Sequence, residues 1–300
     1  MRFSTKILAI PGIIFSLFAA VAFYLVADTG ISSYQLLTYK PDEATRIYDR
    51  HGTLLYQMYQ DKNRVFTPLE QISSHLKNAT VAMEDHRFYE HHGVDPIAIA
   101  RATKSTVLEN DLEGGSTLTQ QYIKNAFLTP ERTIRRKIKE ATLAIMLDAA
   151  LTKEEILERY LNEVSYGGVY YGVGTASEYY FDKNPSELSV AESAFLAAMT
   201  KAPSELSPRN NNDRIHLRQQ QVLDKMLAQG HINEEEWEQA AQEELKFVFK
   251  TPPFKAPHFV LTVKDQLIQK YGEKKVLTGG LEVITSVDYE LQQYAENQVK

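Results

Sequence analysis

Cysteine is absent from the chain, so there can be no disulfide framework, thiolate nucleophile or thiolate metal site. Excess positive charge is missing too. The 33 lysines and arginines stand against 39 aspartates and glutamates, for a net charge of −6, which argues against nucleic acid as a partner of the whole chain. No HExxH occurs, and His86, His91 and His92 lack the i, i+4 pairing of a helical zinc site. There is no repeat at solenoid spacing and no KTG triplet. The composition, 43% hydrophobic and 24% charged over 300 residues, is that of an ordinary folded protein with room for one large domain or two modest ones.

What the chain does have, at its start, is one long uncharged run. Residues 7–27 follow Arg2 and Lys6 without a single charge, and about 20 such residues span a bilayer as a helix. Because the basic residues precede the run, the positive-inside rule leaves residues 1–6 in the cytoplasm and everything after Asp28 on the far side. A cleaved signal peptide is the alternative, with Ala20-Val21-Ala22 as a weak cleavage pattern. A signal peptide's apolar region is shorter, about 7–15 residues, so an uncleaved transmembrane anchor is the expectation.

A polar stem over 28–44 leads to residues 45–68, which alternate apolar and polar residues around Asp49-Arg50-His51-Gly52 and read as a short β-hairpin. From Leu69 to about Leu227 helical periodicity takes over, with Ile156, Leu157, Tyr160, Leu161 and Val164 on one stripe. Thr117 with Gln120, Thr152 with Glu155, and Ser189 with Glu192 each match a capping box. Thr129-Pro130 reads as the end of one helix and the start of the next, proline taking the first helical position. The glycine-tyrosine stretch near Gly167 to Gly174 reads as an irregular connection packed by aromatics, and Pro203 and Pro208 close the helical core. Beyond Gly230 come a charged helix, a proline-rich segment and a β-like run that turns into a helix.

Four segments carry ionisable or hydroxyl side chains in patterns suited to chemistry: Glu84-Asp85, GGSTLTQQYIKN at 114–125, RRKIKEA at 135–141 and KEEILERYLNEV at 153–164. Gly114-Gly115 before Ser116 and Thr117 places flexible backbone at a helix N-terminus, which favours anions or sugar hydroxyls, though a plain capped loop has the same pattern. Lys124, Arg132, Arg135, Arg136, Lys137 and Lys139 concentrate positive charge in an acidic chain, and phosphate is the natural partner. Arg136 and Lys137 precede Glu140 by four and three residues, so on a helix the three side chains meet. A solvated surface salt bridge is the plainer account of that spacing. Two carboxylates from distant segments, one beside a basic cluster, suit acid/base work at a glycosidic centre with the cluster holding a charged leaving group.

These segments, together with EDHRFYEHHG at 84–93 and LSVAESAFLAAMTKAPSELSPRN at 188–210, fall in the order of the successive motifs of the peptidoglycan glycosyltransferases. The chain resembles that family, which includes class A penicillin-binding proteins and monofunctional transglycosylases, from about Thr45 to Met226. The resemblance implies a mostly α, lysozyme-like glycosyltransferase domain with head and jaw lobes, at 45–230, preceded by the single transmembrane helix. The substrate would be lipid II, joined to a growing glycan strand at the outer face of a bacterial cytoplasmic membrane, with other cell-wall synthesis proteins as further partners and no nucleic acid. Glu84 would be the general base. Arg136 and Lys137 would neutralise the departing pyrophosphate, and Glu140, the second catalytic carboxylate, would position the donor or a divalent cation, Mg²⁺ or Mn²⁺, no cofactor being obligatory. Ser116, Thr117, Gln120, Gln121, Lys124 and Asn125 would line the donor cleft, with Asp85 and Arg87 supporting the base and Glu158 in a structural role.

Residues 231–300 resemble the linker that leads toward the transpeptidase side of class A penicillin-binding proteins. The one S-x-x-K match, Ser74 to Lys77, lies inside the glycosyltransferase region and has no KTG partner, so covalent penicillin binding is not expected of this chain. A lysozyme-like hydrolase and a catalytically silent membrane scaffold are the rival readings. The first would have little use for Arg136 and Lys137, and the second would not depend on Glu84.

Overall fold

The fold is mostly helical. The computed structural model describes residues 20, 24–108, 114–129, 131, 133–206, 208 and 213–299. The expected anchor at 7–27 lies outside the described residues apart from Ala20 and residues 24–27, and Pro130 and Arg132 lie outside them as well. Among the described residues no helix is long and apolar enough to cross a membrane. Packing divides the chain into two units, each interrupted once in sequence: residues up to 40 with 84–160, and 41–83 with 161–300.

The first unit is helical. Its core forms where apolar residues recur at helical spacing, with Leu118, Tyr122 and Ile123 on the Leu118–Phe127 helix and Leu143, Ala144 and Leu147 on Ile134–Asp148, all buried. The three capping boxes read from the sequence all form, two of them in this unit. Thr117 accepts from Gln120 N while the Gln120 side chain accepts from Thr117 N, and Thr152 and Glu155 exchange the same pair of bonds at 2.8 and 3.2 Å. The basic helix begins at Ile134, where the Thr133 hydroxyl accepts from Arg136 N and supplies the cap. Asp95 caps the Pro96–Leu108 helix through Ile97 N at 2.9 Å, with Pro96 in the first helical position. Gly93, where the opening acidic motif breaks, has φ of +77°, and a Cβ there would lie 2.5 Å from the Ala144 carbonyl oxygen. Only glycine lets this loop meet the helix backbone so closely.

In the second unit the expected hairpin forms. β1 (Thr45–Tyr48) pairs antiparallel with β2 (Leu54–Met58), and Asp49 accepts from the backbone N–H groups of His51 and Thr53 to shape the turn. β3 (Asn63–Arg64) pairs in parallel with β4 (Tyr170–Tyr171) in a separate two-stranded sheet. The hairpin is not alone, for β5 (Glu282–Ile284) adds to β1 in parallel and gives the sheet order β2-β1-β5. Ile47, Leu55 and Met58 pack there with Val260 and Val276. The Val190–Met199 helix, opened by the third capping box at Ser189, is buried from Ala191 to Met199. Asn162 both accepts from Thr67 N at 2.8 Å and donates to Thr67 O at 2.9 Å. Arg64 and Glu163 form a buried pair at 3.0 Å with Arg64 also donating to Asp42 O.

Candidate active site

The first unit gathers the sequence-derived candidates. Glu84 is the last residue of the Ser74–Glu84 helix and is half-buried. Its Oε2 accepts from Gln121 Nε2 at 2.8 Å, and the Tyr160 hydroxyl stands 3.5 Å from Gln121 Oε1, on the side that leaves the amide nitrogen facing Glu84. Asp85 turns the other way. Its carboxylate accepts from His91 Nε2 at 2.9 and 3.0 Å and from the backbone N–H of Leu118 at 2.9 Å, so it anchors the first turn of the helix that presents Gln121.

Gln121, Lys124 and Asn125 share a face of that helix at i, i+3 and i+4. Lys124 and Asn125 are exposed. Desolvation of the Lys124 ammonium nevertheless holds its pKa below the ordinary lysine value. Glu140 pulls it back up, Arg136 and Lys137 push it further down, and Glu84 pulls it up again. That list of charges is itself geometric, since Lys124 stands where both the Glu84 carboxylate and the Arg136–Lys137–Glu140 cluster act on it.

The cluster meets on one helix face as its spacing requires. Glu140, with a side chain 2% exposed, takes Arg136 Nη1 at 2.6 Å and Lys137 Nζ at 2.5 Å. Lys137 also donates to Ser116 Oγ at 2.6 Å, which ties the glycine-rich loop to the cluster. Arg136 Nε is buried and has no partner among the described residues.

Not every candidate presents a group to a ligand. Thr117 and Gln120, expected in the cleft lining, are 2% and 1% exposed, with their side chains used in the capping box and in the Thr117 bond to Gly93 O at 2.6 Å. They set the helix start. Arg87, expected beside the base, pairs with Glu90 at 2.8 Å and Asp95 at 3.0 Å. Burial works to raise the Asp95 carboxyl, but the N–H groups of Ala98 and Ile97, then Arg87 and His91, together hold it below the ordinary range. Glu140 has both oxygens engaged by cations, and no three acidic or histidine side chains among the described residues gather to hold a metal ion. The donor set at Glu140, already paired with Arg136 and Lys137, does not fit a divalent cation.

Sequence reasoning passed over His91, Asp148 and Lys153. His91 was weighed only as a zinc ligand, yet it is buried against Asp85. Lys153 Nζ donates to Asp148 and to the His91 carbonyl, both at 2.6 Å. The Asp85 and His91 spacing, six residues across a turn, carries no periodic signal, and a lysine's bond to a distant carbonyl leaves none.

Residues 51–227 match the family model described as Transglycosylase. The chain is 38% identical over 298 residues to penicillin-binding protein 1A of Rickettsia conorii, covering 93% of this chain and 38% of that protein. It is 40% identical over 258 residues to penicillin-binding protein 1A of Escherichia coli, covering 85% and 30%. Against penicillin-binding protein 1A of Aquifex aeolicus it is 37% identical over 298 residues, covering 98% and 41%. The chain thus spans less than half the length of each of these relatives. A crystal structure of penicillin-binding protein 1A from Haemophilus influenzae aligns with 86% of this chain and 29% of that one, at 23% identity and a TM-score of 0.48.

Proposed function

We propose, from the premise that this chain belongs to the transglycosylase family, that it polymerises lipid II into peptidoglycan strands by inverting β-1,4 glycosyl transfer with release of undecaprenyl pyrophosphate. The observation that carries this reading is the juxtaposition around Lys124, with a hydrogen-bonded carboxylate at Glu84 on one hand and the Arg136–Lys137–Glu140 cluster on the other. A hydrolase of neutral glycan would have no call on that cluster.

In the reaction the acceptor's 4-hydroxyl gives its proton to Glu84 while its oxygen attacks the donor's anomeric carbon from the face opposite the leaving group. The bond from that carbon to the pyrophosphate oxygen breaks, and its electron pair leaves with the pyrophosphate. Charge therefore develops on the phosphate side. Arg136, Lys137 and Lys124 are the cations that would stabilise it, each acting most strongly where water is excluded. Glu140 keeps Arg136 and Lys137 in position and Gln121 keeps Glu84 in position, so the site is set before the substrates arrive.

The same reading carries the finer features: a lysozyme-like head and jaw, a single-pass anchor at 7–27, a catalytic part on the outer side of a bacterial cytoplasmic membrane, and contacts with other wall-building proteins. Tethering beside a lipid-bound substrate raises the effective concentration of the two. The test is polymerisation of labelled lipid II by detergent-purified protein and its Glu84→Gln variant, with glycan read on a gel. Polymer from the parent alone supports the proposal. Cleavage of preformed glycan without polymerisation replaces it with a hydrolase, and inactivity of the parent in both assays points to a scaffold.

A further inference from the structure

Two buried carboxylates grip the first turn of the Leu118–Phe127 helix. Asp85 accepts the Leu118 backbone N–H at 2.9 Å, and Asp148 accepts the Thr119 hydroxyl at 3.4 Å. Their side chains are 4% and 2% exposed. Each has its own donor, His91 Nε2 on Asp85 at 2.9 Å and Lys153 Nζ on Asp148 at 2.6 Å. The two donors are themselves joined, because Lys153 Nζ also donates to the His91 backbone carbonyl at 2.6 Å and lies 4.8 Å from the centre of the Phe88 ring. The contacts close a circuit. From Glu84 the chain passes to Asp85 and His91, then through Lys153 and Asp148 to Thr119, two residues along the helix to Gln121, and back to Glu84 at 2.8 Å.

We propose that Lys153 is a positioning residue for Glu84, fixing the register between the acidic motif and the helix that presents Gln121 and Lys124. The proposal rests on the transferase reading above and adds a residue that lies outside the site itself. Stability alone does not explain such a lysine. A largely buried ammonium must be stripped of water, and an apolar side chain of similar volume commonly stabilises as well or better. What a lysine adds is direction, since three donors on one nitrogen can hold a carboxylate and a carbonyl from different segments at fixed separation. A misplacement of about 1 Å in a catalytic group can cost about 100-fold in rate, so such a brace bears on turnover more than on substrate binding.

The experiment compares the full chain with Lys153→Met, Lys153→Arg and Thr119→Val, measuring kcat and KM for lipid II, thermal midpoint, and amide hydrogen exchange. Lys153→Met is expected to lower kcat about 100-fold with KM within about twofold. Lys153→Arg, which can still reach both acceptors, should recover most of the loss. Thr119→Val removes only the hydroxyl contact, leaves every charge in place, and should lower kcat by about three- to tenfold at an unchanged thermal midpoint. Unchanged kcat in Lys153→Met, or a loss through KM alone, would overturn the proposal. If Lys153→Met does not fold, Thr119→Val decides in the same way. Should the parent make no polymer, the transferase reading fails, and positioning is judged by hydrogen exchange. A rise confined to the amides of 118–121 supports it, and no rise or a uniform rise across the chain refutes it.

Discussion

Glu84 and Gln121, 37 residues apart in sequence, meet at 2.8 Å with the amide nitrogen donating to the carboxylate. The bond leaves the Glu84 carboxylate in one rotamer and, with Tyr160 near the amide oxygen, leaves the amide in one orientation. A base that must take a proton from an incoming hydroxyl gains from such restraint, because reach and angle are set before the substrate binds.

Gln121→Leu keeps the volume of the side chain and removes the donor. If Glu84 is the general base as proposed, turnover on lipid II should fall about tenfold to a hundredfold while KM changes little, since the bond would then serve the base and not the substrate. Steady-state kinetics on the two proteins decide it. A loss that appears only in KM would place Gln121 on the substrate instead.

Glu140→Gln should be costly in two ways. The carboxylate holds Arg136 and Lys137 from a buried position, and replacing it with an amide of the same shape leaves two cations facing a neutral group. Both cations retain some access to water, which moderates the penalty to about 1–3 kcal/mol. Chemical denaturation gives the stability change. On the proposed reading the polymerisation assay should show a larger effect on kcat than the stability loss explains, because the cations proposed to meet the leaving group lose their orientation.

The features legible from sequence are those whose partners sit within one turn of helix or one hairpin. Arg136, Lys137 and Glu140 announce themselves by i, i+3 and i, i+4 spacing, and Thr117 with Gln120 does the same for a helix start. The same pattern gives Thr117 and Gln120 a second use, because their side-chain oxygens are engaged in the helix cap. The Thr133 hydroxyl caps the basic helix at its start. Pairings across hundreds of residues left no trace. β5 joins β1 through Arg46 and Glu282, 236 residues apart, and nothing in three residues of apolar-polar alternation names a partner strand. Lys153 reaches the His91 carbonyl across 62 residues, and a backbone oxygen has no identity in sequence at all.

Gly93→Ala tests the close approach of the acidic motif to the Ile134–Asp148 helix. The new methyl group would have to occupy a left-handed backbone at φ +77° and stand 2.5 Å from the Ala144 carbonyl oxygen. Backbone strain and overpacking together should destabilise the fold by about 2–5 kcal/mol. The thermal midpoint should drop by about 2–4 °C for each kcal/mol. Gly52→Ala, at φ +85° but with nothing within 4 Å, has the strain without the clash and should cost about 1–2 kcal/mol. Equal losses in the two variants would show that the approach to Ala144 is not tight.

Lys124 gives the site its clearest pH signature. Desolvation, together with Arg136 and Lys137, holds its ammonium below the ordinary pKa of 10.5 against the pull of Glu140 and Glu84. The ammonium charge is therefore lost sooner on raising the pH than in a free lysine, and if it meets the leaving group as proposed, kcat/KM should decline through that lowered value. A bound pyrophosphate stabilises the ammonium, so the decline in kcat should lie at higher pH than the decline in kcat/KM. Stability should move the opposite way. Between the lowered value and the ordinary one the unfolded chain holds the proton and the folded chain does not, so folding gains as pH rises across that window, while below it the cost of the partly desolvated charge is fully present. Lys124→Arg supplies a cation that stays charged throughout. Its pH–rate profile should lose the alkaline decline attributable to Lys124, at some cost in absolute rate from the bulkier group. An unchanged alkaline limb would assign that limb to another residue.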